Sequence, residues 1–139
     1  MKKFLKIICF LMAAVMLFTT TAFAAESRAS DFFARTCTYI DRSSTSKLDI
    51  WFEVIAVGTM TVLGVRSIEL ERSTDKSNWE TVKTYGMADY SQLTCASTAS
   101  HSGSVTYYGS STYYYRAYGE FYAKNSTGIG VYCSYTATV

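Results

Sequence analysis

The sequence predicts an all-β fold, a seven-stranded antiparallel β-sandwich behind an N-terminal signal helix. Three observations carry this reading. After residue 24 the chain holds all twelve Tyr and 32 Ser or Thr but only four Leu, which is the composition of pleated, half-buried surfaces rather than of helices. Apolar and polar residues alternate along several runs, with the period-2 signature of strands. Gly, Ser, Asn and Asp break the chain every 8–15 residues, as hairpin-connected strands require.

Residues 1–24 read as an address. Lys2, Lys3 and Lys6 form a positive start, the run Ile7–Phe18 is 12 residues long and uncharged, and Ala22-Phe23-Ala24 puts small side chains at both key positions of a cleavage site. Cleavage then falls between Ala24 and Ala25. A membrane anchor is the competing reading, but a spanning helix needs about 20 apolar residues. Residues 25–33 form a short flexible leader that docks Phe32 or Phe33, and residues 34–139 form the domain.

The strands follow in order. Ala34–Asp41 is the first, and Ser43-Ser44-Thr45-Ser46 turns the chain. Leu48–Val57 is the second, with Leu48, Ile50, Phe52, Val54 and Ala56 on one face and Asp49, Trp51, Glu53, Ile55 and Val57 on the other. A helix would also align Leu48, Trp51, Phe52 and Ile55, but β-branched and aromatic content and the break at Gly58-Thr59 favour a strand. Thr61–Val65 is a short extended piece or loop around Gly64. Arg66–Arg72 puts Ile68 and Leu70 inward, a polar hairpin loop covers 73–78, and Trp79–Tyr85 returns with Val82 opposite Ile68 or Leu70. Gln92–Ala99 is a weaker strand, and 100–111 reads as a polar loop with a short strand at Val105–Tyr108. Thr112–Lys124 is a long aromatic strand, Asn125–Gly128 turns, and Ile129–Val139 closes the domain.

The net charge of +2 belongs to the address. Without its three Lys, ten basic and eleven acidic residues remain, so binding to nucleic acid or to an anionic membrane has no electrostatic basis. The 115 residues left after cleavage suffice for one real core. No membrane contact is expected once the signal is removed, and the protein is expected outside the cell.

Three segments, Arg66-Ser67-Ile68-Glu69-Leu70-Glu71-Arg72-Ser73, Trp79-Glu80-Thr81-Val82 and Tyr113-Tyr114-Tyr115-Arg116-Ala117, give an order that resembles fibronectin type III-like and immunoglobulin-like sandwiches. With Ala34-Arg35-Thr36, Gly58-Thr59-Met60, Gly64 and Ser104-Val105-Thr106-Tyr107, most of the chain after the signal resembles a group of small exported proteins of Gram-positive bacteria without an assigned activity. The resemblance implies a fold and an export route and carries no catalytic residue.

The chemistry-bearing residues are few. His101 is the single His, in Ser100-His101-Ser102-Gly103, and no nucleophile elbow accompanies it, so a hydrolase built on it is the weakest reading. No spacing of Cys, His or Asp suits a metal, and no cofactor is implied. Glu69 and Glu71 share one strand face between Arg66 and Arg72, the pattern of an exposed polar face rather than of a glycosidase cleft. Cys37, Cys95 and Cys133 remain after cleavage. One bridge with an odd thiol is open, Cys37–Cys133 before Cys95–Cys133, and so are three free thiols.

The aromatic strand is the functional lead. Tyr113, Tyr115, Ala117, Gly119 and Phe121 share one face, and Tyr114, Arg116, Tyr118, Glu120 and Tyr122 share the other. One face is core, and the other is a row of aromatics interleaved with charge, suited to contact with an extracellular protein or a glycan. Tyr107, Tyr108 and Tyr132 extend it, and Trp51 is a further exposed ring. One Tyr fixing a sandwich corner is the alternative use of such residues. The sequence therefore predicts a non-enzymatic binding module with Tyr114, Tyr118, Tyr122 and Trp51 at its contact face, or a secreted effector that acts by touching a partner.

Overall fold

The computed structural model describes residues 29–139. The signal segment and its cleavage site at Ala24 and Ala25 lie outside the described residues. One helical turn, α1 (Ala29–Phe32), leads into six strands: β1 (Phe33–Arg42), β2 (Lys47–Ser73), β3 (Glu80–Gly86), β4 (Thr94–Tyr108), β5 (Tyr114–Asn125) and β6 (Gly128–Tyr135). All pairings are antiparallel and belong to one curled sheet.

Seven separate strands are expected from the sequence; the described residues make six. The segments 48–57 and 66–72 are one 27-residue strand, β2, because Gly58, Thr59 and Gly64 bend the ladder without ending it. Gly64 explains how. A Cβ there would sit 2.1 Å from the Leu93 carbonyl oxygen, so only glycine lets the backbone entering β4 cross this closely. The polar stretch at 100–104 is likewise strand rather than loop, since its backbone pairs with Trp51–Ile55 and that ladder needs no apolar side chains.

β2 organises the rest. Its N-terminal half lies between β1 and β4. Its C-terminal half lies between β5 and β3, and β6 extends β5. The two halves turn their apolar faces to a common core. Leu48, Ile50, Phe52 and Val54 come from one half, and Leu63, Val65, Ile68 and Leu70 from the other. Ala117, Phe121 and Ala123 join from β5. The alternation read for 48–56 and for β5 is the burial observed. β1 and β5 meet where the sheet curls over, with Thr38 Oγ1 3.0 Å from where a Cβ on Gly119 would be. Phe32 is buried and its ring covers Gly130.

Two details differ from expectation. Val82 falls in a bulge between the Leu70↔Lys83 and Glu71↔Thr81 pairs, and Tyr85, opposite Ile68, takes the buried place. Cys37 and Cys133 are not bridged, and Cys37, Cys95 and Cys133 are all free thiols. Cys37 is half-buried on β1, and Cys133 is exposed on β6.

Candidate functional site

Position 115 shows which face of β5 is core. Tyr115 is buried, next to the Tyr107 and Tyr113 rings, with Arg42 above it. Burial raises its pKa, and the Ser110 backbone N–H works against that rise. The opposite face, Tyr114, Arg116, Tyr118, Glu120 and Tyr122, is half-exposed or exposed and forms the outer side of the sheet.

That outer face is a platform held by internal contacts. Arg116 is its centre. Its Nε donates to Glu71 Oε2 at 2.6 Å across the β2–β5 ladder. Its guanidinium lies 4.2 Å from the Trp79 ring centroid and 4.4 Å from that of Tyr135. Tyr135 in turn meets Tyr118 at 4.8 Å. Lys76 sits over Tyr114, and Arg66 lies near Tyr122 while pairing with Glu120. Every outward Tyr of β5 is thus fixed by a cation or a second ring, so the surface is ordered before any partner arrives.

The hairpin loop places two of these groups. Asp75 Oδ1 accepts the N–H groups of Ser77 and Asn78, both at 2.8 Å, and Ser73 Oγ donates to it at 2.9 Å. Those bonds hold the Asp75 carboxyl well below the usual carboxylate range. The loop so tied carries Lys76 to Tyr114, and Trp79 Nε1 donates to the Lys76 carbonyl at 3.1 Å. Tyr118 differs from an ordinary phenol. A hydrogen bond with Cys133, together with desolvation, pushes its pKa up to about 12.

Trp51 does not join this platform. It stacks on Tyr39 of β1, centroids 6.3 Å apart and planes 11° apart. It belongs to the N-terminal half of β2, whose outer face points away from that of β5, because both halves turn inward to the same core. Tyr107 and Tyr108 also go elsewhere. With Lys83, Tyr85, Tyr90, Gln92, Ser104 and Thr106 they line an open groove of about 600 Å³ where β3 passes β4. Tyr85 closes its floor by donating to the Thr106 carbonyl at 2.9 Å, and Tyr90 meets Tyr85 edge-on at 5.0 Å. Tyr132 packs on Phe121. His101 is a packing residue here, with its Nε2 donating to the Gln92 carbonyl at 2.8 Å and its ring against Phe52.

Sequence reasoning missed Tyr135 and the destination of Trp79. The first was within reach: the Asn125–Gly128 turn sets the register that puts Tyr135 opposite Tyr118. The groove was not, since it depends on the bend of β2.

Two comparisons give nothing: no family model matches the chain, and no curated protein matches it. Among solved structures the chain is similar to one titled "X-ray structure of Northeast Structural Genomics Consortium target SoR45", at 10% identity and a TM-score of 0.37, covering 74% of this chain and 82% of that one.

Proposed function

We propose that this protein is an exported, non-enzymatic binding module that contacts an extracellular protein through the outer face of β5. The observation that carries the reading is the platform of Trp79, Arg116, Tyr135 and Tyr118, with Tyr114 and Tyr122 at either end. Trp, Tyr and Arg are the residues that dominate binding energy at protein interfaces, and their fixed geometry lowers the entropy lost on contact. The signal-like segment at 1–24 supports export.

The proposal includes a finer description of the fold, a fibronectin type III-like sandwich in which two neighbouring strands have fused into β2. Two features support it. The strand order divides into β1–β2–β4 and β3–β2–β5–β6. Tyr115 stands buried at the start of β5 with the Ser110 backbone, five residues upstream, acting on its hydroxyl, as a tyrosine corner would have it.

The test is retention of a cell-surface or culture partner on the immobilised protein. Alanine at Tyr114, Tyr118 and Tyr122 together should abolish it; retention that survives all three changes removes this face as the site. One observation favours a second reading, a saccharide in the β3–β4 groove. Four Tyr and the hydrogen-bonding groups of Gln92, Ser104 and Thr106 surround an open concavity there. Under that reading Tyr90→Ala and Tyr108→Ala, rather than the β5 changes, release an immobilised glycan. Turnover lost in His101→Ala would overturn the non-enzymatic reading altogether.

A further inference from the structure

The outer edge of β6 is open. β6 bonds to β5 on one side, and among the described residues no ladder or backbone bond reaches the other. One bond shows which groups point outward. The Thr136 N–H donates to the Ala117 carbonyl at 2.8 Å. In an antiparallel strand the N–H and C=O of one residue face the same edge, and successive residues alternate. Gly130, Tyr132 and Ser134 therefore bond to β5, while Ile129, Val131, Cys133 and Tyr135 turn their main-chain groups away from it. The side chains of these four are also exposed.

This edge carries no charge, no proline and no bulge. Native sheets blunt their edges with charge, proline, bulges or short strands. The other edges of this sheet do so. β1 carries Arg35, Asp41 and Arg42 and a bulge between Phe33 and Arg35. β3 is short, bulged, and bears Glu80 and Lys83. β4 is interrupted between its Ile55 and Met60 partners, where Ser97 has a φ of 52°. β6, Gly-Ile-Gly-Val-Tyr-Cys-Ser-Tyr, has no charge, no proline and no register shift against β5.

We propose that a second copy of this chain pairs with β6, strand against strand across a two-fold axis, and joins two sheets into one. The strand is complementary to itself. It is uncharged, so a two-fold sets no like charges against each other. In the register centred on Tyr132, Ile129 of one copy lies opposite Tyr135 of the other, and Val131 lies opposite Cys133. All four are residues whose outward N–H and C=O groups are free to make the ladder. Ile against Tyr is a β-branched–aromatic pair, a stabilising cross-strand combination. The inference shares Tyr135 with the partner-binding platform but rests on the main-chain edge of the sheet, which the platform contacts leave open.

The test is sedimentation of the exported protein over a concentration series, combined with amide hydrogen exchange. A dimer is expected, with the amides of Val131 and Cys133 gaining protection as concentration rises, and those of Tyr132 and Ser134 protected throughout by β5. Val131→Pro removes an outward N–H that β5 does not use, and Val131→Lys places a charge at the seam. Both should sediment as monomers, with near-ultraviolet dichroism showing the fold retained. Either folded variant is expected to keep any partner retention that depends on Tyr118, which separates failure of the dimer from failure of the platform. A monomer at millimolar concentration overturns the proposal. So does a dimer that persists in both folded variants, or a dimer whose Val131 and Cys133 amides stay unprotected.

Discussion

The Arg116 guanidinium lies 4.2 Å over the Trp79 ring, and this contact ties the β2–β3 hairpin to the N-terminal end of β5. Neither group is fixed alone. Glu71 holds Arg116 from the neighbouring strand, and the Asp75-centred loop holds the backbone that leads to Trp79. A polar side chain on the outer face of a sheet thereby does structural work that apolar residues do in the core.

Arg116→Ala should cost about 1–2 kcal/mol, from a partly desolvated cation–π contact and a charge-assisted hydrogen bond. Arg116→Lys should recover less than half, because an ammonium cannot stack flat between Trp79 and Tyr135 while bonding Glu71. Urea unfolding, followed by the fluorescence of Trp79 and Trp51, measures both.

Gly64→Ala is expected to cost more than about 3 kcal/mol, since the overlap is with the backbone of Leu93 and Thr94 and cannot be relieved by a rotamer. Gly58→Ala is its control. Nothing lies within 4 Å of a Cβ there, so its midpoint should stay near that of the parent protein.

Alkaline pH should weaken the fold through Tyr85. Burial raises its pKa from 10.0 to about 12. Below pH 10 both the folded and unfolded phenols keep their proton and stability is unaffected. Between pH 10 and 12 only the unfolded state loses its proton, so stability falls as pH rises through that window. Tyr85→Phe should flatten the fall. Absorbance at the phenolate band should also show Tyr118 titrating near 12, returning toward 10 in Cys133→Ala.

Acid should act through Asp49. Bonds from Thr106, Lys47 and Ser43 lower its pKa from 3.8 to about 2. The stability they contribute is complete above pH 4 and is lost as pH falls toward 2, because the unfolded carboxylate takes its proton first. Thr106→Ala removes the strongest of these bonds and should move the acid unfolding midpoint upward, read by circular dichroism.

Which residues share a face was legible because alternation is a local property, while the structure decided which face of β5 is buried. Leu48, Ile50, Phe52 and Val54 on β2, and Tyr115, Ala117 and Phe121 on β5, are buried as the period-2 pattern requires. The outward row of Tyr114, Tyr118 and Tyr122 follows from the same parity. Strand ends were less legible. A glycine such as Gly58 or Gly64 reads as a break when it can equally be a bend within one strand. A run such as Ser100–Ser104 reads as a loop when its backbone is what pairs.

By itself, then, the sequence determined the all-β character, the inner face of the first half of β2, the division of β5 into two faces, and the Asn125–Gly128 turn. These depend on side-chain chemistry at neighbouring positions and on the two-residue repeat of a strand. Tertiary structure decided that two expected strands are one, that Trp51 stacks on Tyr39 instead of joining the Tyr row, and that Cys37 and Cys133 are not bridged. It also placed Trp79 on Arg116 and opened the groove beside Tyr85. Each of these depends on how sharply β2 bends and on which strands meet across the core, distances set by packing between residues far apart in the chain.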